Sequence, residues 1–280
     1  MDEKDEFEDI LNEYEDAPPE QQEKLGSRIL NLAARWAAQR QATPRDAIEA
    51  AFQQAQVSQN WPEAERLVRQ LIAMKESPIQ SYRDWDQLST LFELQGRMDE
   101  AYEASLESNR AARESDMRPL ILNALRTEVV WAIQRNEDEQ ALQKIQEGLA
   151  QAQEGGSMYA PHSASFLVQY ARILLKSGDL NGASARLEEA DAILQPYSDS
   201  TSMTGPLTTL ATWWSTTAQL RLKRFDIAGA HQANRMALEI GQRVSTFPQL
   251  EPLVQQSISH HTQQRFTQIQ NEIEMATQTE

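Results

Sequence analysis

Four histidines, His162, His231, His260 and His261, are the side chains of this chain best suited to proton transfer or metal binding near neutral pH. Their spacing serves neither role well. His162 falls in a loop-like stretch and His231 on a helical pattern. His260 and His261 are adjacent, so on a helix they point about 100° apart and make poor joint ligands. There is no cysteine, which removes thiolate nucleophiles, disulfides and cysteine-ligated metals together. No His-Glu-x-x-His run occurs and no glycine-rich phosphate loop; Gly155-Gly156 stands alone. An enzyme needs a nucleophile, a base or a metal converging on a pocket. The chain is therefore expected to be non-catalytic, with no cofactor and no metal.

Charge narrows the partners. The formal net charge is −16 over 280 residues, and residues 1–20 alone carry ten acids against one lysine. Such a balance disfavours a nucleic-acid backbone, which calls for a concentrated Lys/Arg surface, and it disfavours anionic lipid. The first residues, Met1-Asp2-Glu3-Lys4-Asp5-Glu6, lack the apolar stretch of a secretory signal. No segment approaches the ~18 apolar residues of a membrane span. These features together suggest a soluble, cytoplasmic protein that binds neither nucleic acid nor membrane.

The elements that would position any site are set by an internal repeat. Asn60-Trp61-Pro62-Glu63-Ala64, Arg97-Met98-Asp99-Glu100-Ala101, Glu137-Asp138-Glu139-Gln140-Ala141, Asp179-Leu180-Asn181-Gly182-Ala183 and Phe225-Asp226-Ile227-Ala228-Gly229-Ala230 recur as turns, each ending on an alanine that opens a helix. The alanines are 37, 40, 42 and 47 residues apart. Before each turn runs an apolar helical face, such as Trp85, Leu88 and Phe92, or Leu167, Tyr170, Ala171 and Leu174. The third unit, around Leu125, Val129, Ala141 and Ile145, is the most degenerate, and its register is the least defined.

This pattern over residues 45–245 resembles the tetratricopeptide repeat family, with longer units than that family's 34 residues. The resemblance implies an all-α, right-handed superhelical solenoid of about twelve helices, five helical hairpins with capping helices at both ends. It implies a concave groove lined by positions 2, 5, 9 and 12 of each first helix. Here those positions include Asp46, Glu49 and Gln53; Arg83, Asp86 and Thr90; Arg172; and Ser215 and Gln219. The family's carboxylate clamp carries Lys and Asn where this chain has Glu49 and Gln53, so a co-chaperone role is not implied. Trp131 and Trp213 fit the repeat core less well and are the candidate aromatic anchors of a partner.

The flanks are read apart. Residues 21–44 are expected to form an N-terminal capping helix, with Leu25, Ile29, Leu32, Ala33 and Trp36 on one face, and residues 246–280 a C-terminal one, with Val254, Ile258, His261, Ile269 and Ile273 at helical spacing. The C-terminal helix could instead pair with another chain. Residues 1–20 fit a disordered acidic tail, a segment docking on a partner through Phe7, Ile10, Leu11 and Tyr14, or an autoinhibitory peptide folding back into the chain's own groove.

A non-catalytic adaptor follows, holding a neutral or basic peptide or protein segment in the groove. A sensory module that changes shape on binding a peptide or small ligand is the second reading, and a subunit of a larger assembly the third.

Overall fold

The computed structural model describes residues 43–278 together with Gln21, Lys24, Leu25 and Arg28. The acidic segment 1–20 lies outside the described residues, as does nearly all of the capping helix expected over 21–44.

From Thr43 onward the chain forms eleven α-helices and no strand among the described residues. They are α1 Pro44–Val57, α2 Trp61–Met74, α3 Pro78–Leu94, α4 Met98–Glu114, α5 Arg118–Gln134, α6 Asp138–Glu154, α7 Ala160–Ser177, α8 Leu180–Leu194, α9 Thr204–Lys223, α10 Ile227–Ser245 and α11 Pro252–Gln278. The first ten pair as five successive hairpins, hereafter units one to five. Single 3₁₀ turns precede α7 and follow α8. None of the helices is long and apolar enough to cross a membrane.

The sequence repeat reappears as one repeated backbone geometry. In every hairpin the first helix ends on a left-handed residue: Gln59, Gly96, Asn136, Gly178 or Phe225. The following amide then bonds back to the helix it has left. Asn60 donates to Ala55 O, Arg97 to Phe92 O, Glu137 to Ala132 O, Asp179 to Leu174 O and Asp226 to Arg221 O, each at 2.9 Å. This is the Schellman closure, which satisfies carbonyls that a helix end leaves open. Only two of the five positions are glycine, because the closing bonds hold other residues in a conformation they disfavour.

The second helix of each hairpin starts three residues before the repeated alanine rather than at it. Ala64, Ala101, Ala141, Ala183 and Ala230 are each its fourth residue, and each is fully buried. A methyl group at that point lets the two helices of a hairpin approach closely. Each first helix has a proline in its first turn (Pro44, Pro78, Pro119, Pro161 or Pro206), where no intrahelical donor is lost.

Helices pack neighbour to neighbour along the chain, and α5–α7 and α7–α9 add contacts between first helices. The last helix departs from this order. α11 packs on α10 and α9 and also reaches back to α3 and α1. Leu253, at its start, is buried with Phe52, Leu88 and Leu91 of units one and two. Ile269 and Ile273, near its end, are buried with Ala218, Ala230 and Ala233 of unit five. Gly241 permits the close crossing with α10, because a Cβ there would sit 2.3 Å from Thr262 Oγ1.

Candidate functional site

Repeat spacing places Glu49, Asp86, Arg126, Val168 and Ser215 at equivalent points of the five first helices. The last four line a divided chamber between those helices and α11. One compartment is a cavity of ≈ 390 Å³ bounded by α3, α5, α9, α10 and α11. The other, ≈ 210 Å³, lies between α5, α7, α9 and α11. The two share Arg126, Val130, Thr208, Thr212 and Arg265 as lining.

The walls are electrostatically unlike. The smaller compartment is lined by Arg126, Arg265 and His162, by hydroxyls of Ser165, Thr208, Thr209 and Thr212, and by no carboxylate among the described residues. Arg265 donates from Nη1 to Thr212 Oγ1 at 2.8 Å, and Arg172, close behind, donates from Nη1 to Gln169 Oε1 at 2.6 Å. Burial pushes the Arg265 guanidinium down to about 10, and the positive charges of Arg172 and Arg126 add to that. Burial alone lowers Arg172. His162 falls to about 4, first through burial and then through Arg126, so it is neutral at physiological pH.

The larger compartment adds acids from α3. The Asp86 side chain is exposed toward the cavity, with the surrounding protein standing close about it. Loss of bulk solvation raises its carboxyl to about 6; Arg126 opposes the rise, while Glu93 and Glu251 add to it. Glu93 Oε2 lies 3.2 Å from His261 Nε2 of α11.

A polar seam at the start of α11 closes the first units onto it. Glu251 accepts from Arg83 Nη2 at 2.5 Å and from Gln87 Nε2 at 2.6 Å. The Leu253 amide donates to Gln56 Oε1, and Gln256 Nε2 donates to Gln56 O, both at 3.3 Å. Beneath the seam, buried Arg45 bonds Asp84 at 2.5 Å and Glu49 at 2.8 Å. Desolvation raises the Asp84 carboxyl, against the pull of Arg45.

The residues singled out from the sequence therefore divide. Asp86, Thr90 and Ser215 line the chamber, and Arg172 stands just behind its wall. Arg83 and Glu49 belong to the seam with α11. Asp46 closes the capping box of α1 with Thr43. Gln53 is exposed on α1 and Gln219 half-buried on α9, and neither lines the chamber. Both candidate aromatic anchors pack against neighbouring side chains, and Trp131 also lines the larger compartment. Trp131 is 6 % exposed and stacks edge-on against Tyr102 within the core of the first units. Trp213 is half-buried, donates to Leu187 O at 2.7 Å and packs edge-on against Trp214. Trp131 is core because it is the repeat equivalent of Leu91, itself fully buried.

Sequence reasoning missed Arg126, Arg265 and His162. Arg126 was legible: a 40-residue shift from Asp86 lands on it, and only the uncertain register of unit three hid it. Arg265 carries no such signal, because α11 lies outside the repeats. His162 looked like a loop residue but is the third residue of α7. Among the described residues no cluster of His, Asp and Glu is arranged to hold a metal. The arrangement is a partly enclosed chamber of small-molecule size with both polar and apolar lining, basic on one side and mixed on the other. No family model, no curated protein and no solved structure matches this chain.

Proposed function

We propose that this chain is a non-catalytic ligand-binding module, a tetratricopeptide-like solenoid whose recognition site is the chamber under α11. The observation that carries this reading is the course of α11, which packs along the inner helices and engages both ends of the array. An open groove accepting a long extended segment would need that space free. The same course encloses a compact polar chamber, which favours the sensory reading over the adaptor. Because α11 touches units one, two and five together, a ligand beneath it acts on contacts that join the ends of the array, so occupancy is coupled to overall shape.

Native mass spectrometry of the full chain tests this. A small-molecule adduct on the wild type is the expected result. It should be lost from Val130→Trp, which fills the space shared by the two compartments, while circular dichroism shows an unchanged helical signal. A chain that stays bare, or an adduct that Val130→Trp leaves in place, overturns the chamber as the site.

A further inference from the structure

We infer that the basic compartment is an oxyanion site, in which a carboxylate or phosphate group of a small ligand is held between the guanidiniums of Arg126 and Arg265. The inference rests on the chamber being the binding site and names the chemistry it selects.

The first support is the distribution of ion pairs. The chain has 42 acidic residues against 26 Lys and Arg. With acids in such excess, arginines readily find carboxylates, and Arg45, Arg66, Arg69, Arg83, Arg97 and Arg113 all do. Arg126, Arg172 and Arg265 form no carboxylate pair among the described residues; Arg224, Arg235 and Arg243 form none either but line neither compartment, whereas Arg126 and Arg265 face one cavity from α5 and α11, with Arg172 of α7 behind its wall. Gathering like charges around one partly enclosed cavity is unfavourable unless something offsets it. Their mutual effect is visible in the lowered Arg265.

The second support is the lining. Thr212 accepts from Arg265 and so holds one guanidinium at the cavity wall. The planar guanidinium fork matches the two oxygens of a carboxylate or phosphate. Buried His162 Nδ1, in the same lining, has no hydrogen-bond partner. Across the chamber, Asp86 and Glu93 repel a second anionic group, so the remainder of the ligand is neutral or cationic.

The test is a titration of the full chain at constant ionic strength with inorganic phosphate, with butyrate and, as the neutral control, with 1-butanol. The readout is NMR of the arginine Nε–H and histidine ring signals. Saturable shifts at Arg126, Arg265 and His162 with phosphate or butyrate, and none with 1-butanol, are expected; the two anions separate a phosphate ligand from a carboxylate. Arg126→Gln and Arg265→Gln should each weaken binding by roughly ten- to hundredfold, Arg126→Lys less, and Arg110→Gln on the outer surface not at all. Circular dichroism of each Gln variant should show an unchanged helical signal, which separates lost binding from lost fold. Absence of a response to either anion overturns the inference. If the native adduct nevertheless persists and Val130→Trp removes it, the chamber reading survives that failure; if the adduct is absent too, both fall. Anion shifts that Arg126→Gln and Arg265→Gln leave unchanged place the anion elsewhere and overturn it equally.

Discussion

Glu251 and Arg83 lie 168 residues apart in sequence and meet at 2.5 Å, where the chain entering α11 crosses the second hairpin. The pair is part-exposed, so its own contribution to stability is at most about 1 kcal/mol. Its significance is positional, because it marks the point where the last helix joins the first units. Leu253, two residues on, is buried there and supplies the larger energy.

Leu253→Ala should cost about 2–5 kcal/mol of unfolding free energy, the usual range for a truncated core leucine. Loss should be local before it is global. Hydrogen exchange should rise over residues 255–262, which lose their anchor in units one and two, while residues 269–273 stay protected by Ile269 and Ile273. Uniform protection along α11 would show that its N-terminal half is held by something other than Leu253.

Asp86 gives stability a pH dependence of definite sign. Its carboxyl is raised from 3.8 to about 6 in the folded protein. Between those values the folded state holds a proton that the unfolded chain has released, so this contribution falls as pH rises through the window. Asp86→Asn should therefore raise the melting temperature at about pH 7 and leave it nearly unchanged below about pH 4. His162 acts in the opposite sense. It is lowered from 6.5 to about 4, so the unfolded chain gains the proton first and stability falls as pH drops through that range. His162→Gln should thus gain over the wild type at about pH 5 and not at about pH 8. Melting curves of the two variants across this range check both signs.

Phe225 holds the left-handed turn position of unit five at φ +61° with 82 % of its surface exposed. Glycine occupies the equivalent place in units two and four, at Gly96 and Gly178. Phe225→Gly removes a conformational penalty at little loss of burial and should stabilise the chain by about 0.5–1 kcal/mol. Denaturant midpoints measure it, with an unchanged m-value expected.

The α10–α11 crossing depends on a missing side chain. At Gly241 a Cβ would lie 2.3 Å from Thr262 Oγ1, 2.4 Å from its Cγ2 and 2.9 Å from its Cβ, so no rotation of Thr262 clears the clash. Gly241→Ala should destabilise by about 1–3 kcal/mol through overpacking. Gly241→Ala with Thr262→Gly should recover part of that loss, a coupling that a double-mutant cycle would report.

The sequence made the local organisation legible. The five turns, the buried alanines and most of the inner row of first-helix positions follow from spacing, because hairpin closure and close helix packing depend on residues near one another in the chain. Legibility faded where non-glycine residues took the left-handed turn position, as Asn136 does in unit three. There the geometry persists without its usual marker, and the register that places Arg126 opposite the chamber was lost with it.

Sequence alone, then, determined the helical hairpins, their order and the charge excess. The tertiary structure decided where α11 goes and what it encloses. Apolar residues at helical spacing, such as Ile258, Ile269 and Ile273, specify that a helix has a face to bury but not against which partner. That choice is made by contacts between distant parts of the chain: Leu253 among the side chains of units one and two, Glu251 on Arg83 and Gln87, and Gly241 against Thr262. Arg265 reaches Arg126 and Arg172 only once those contacts form, and so the chamber is a property of the folded chain rather than of any one repeat.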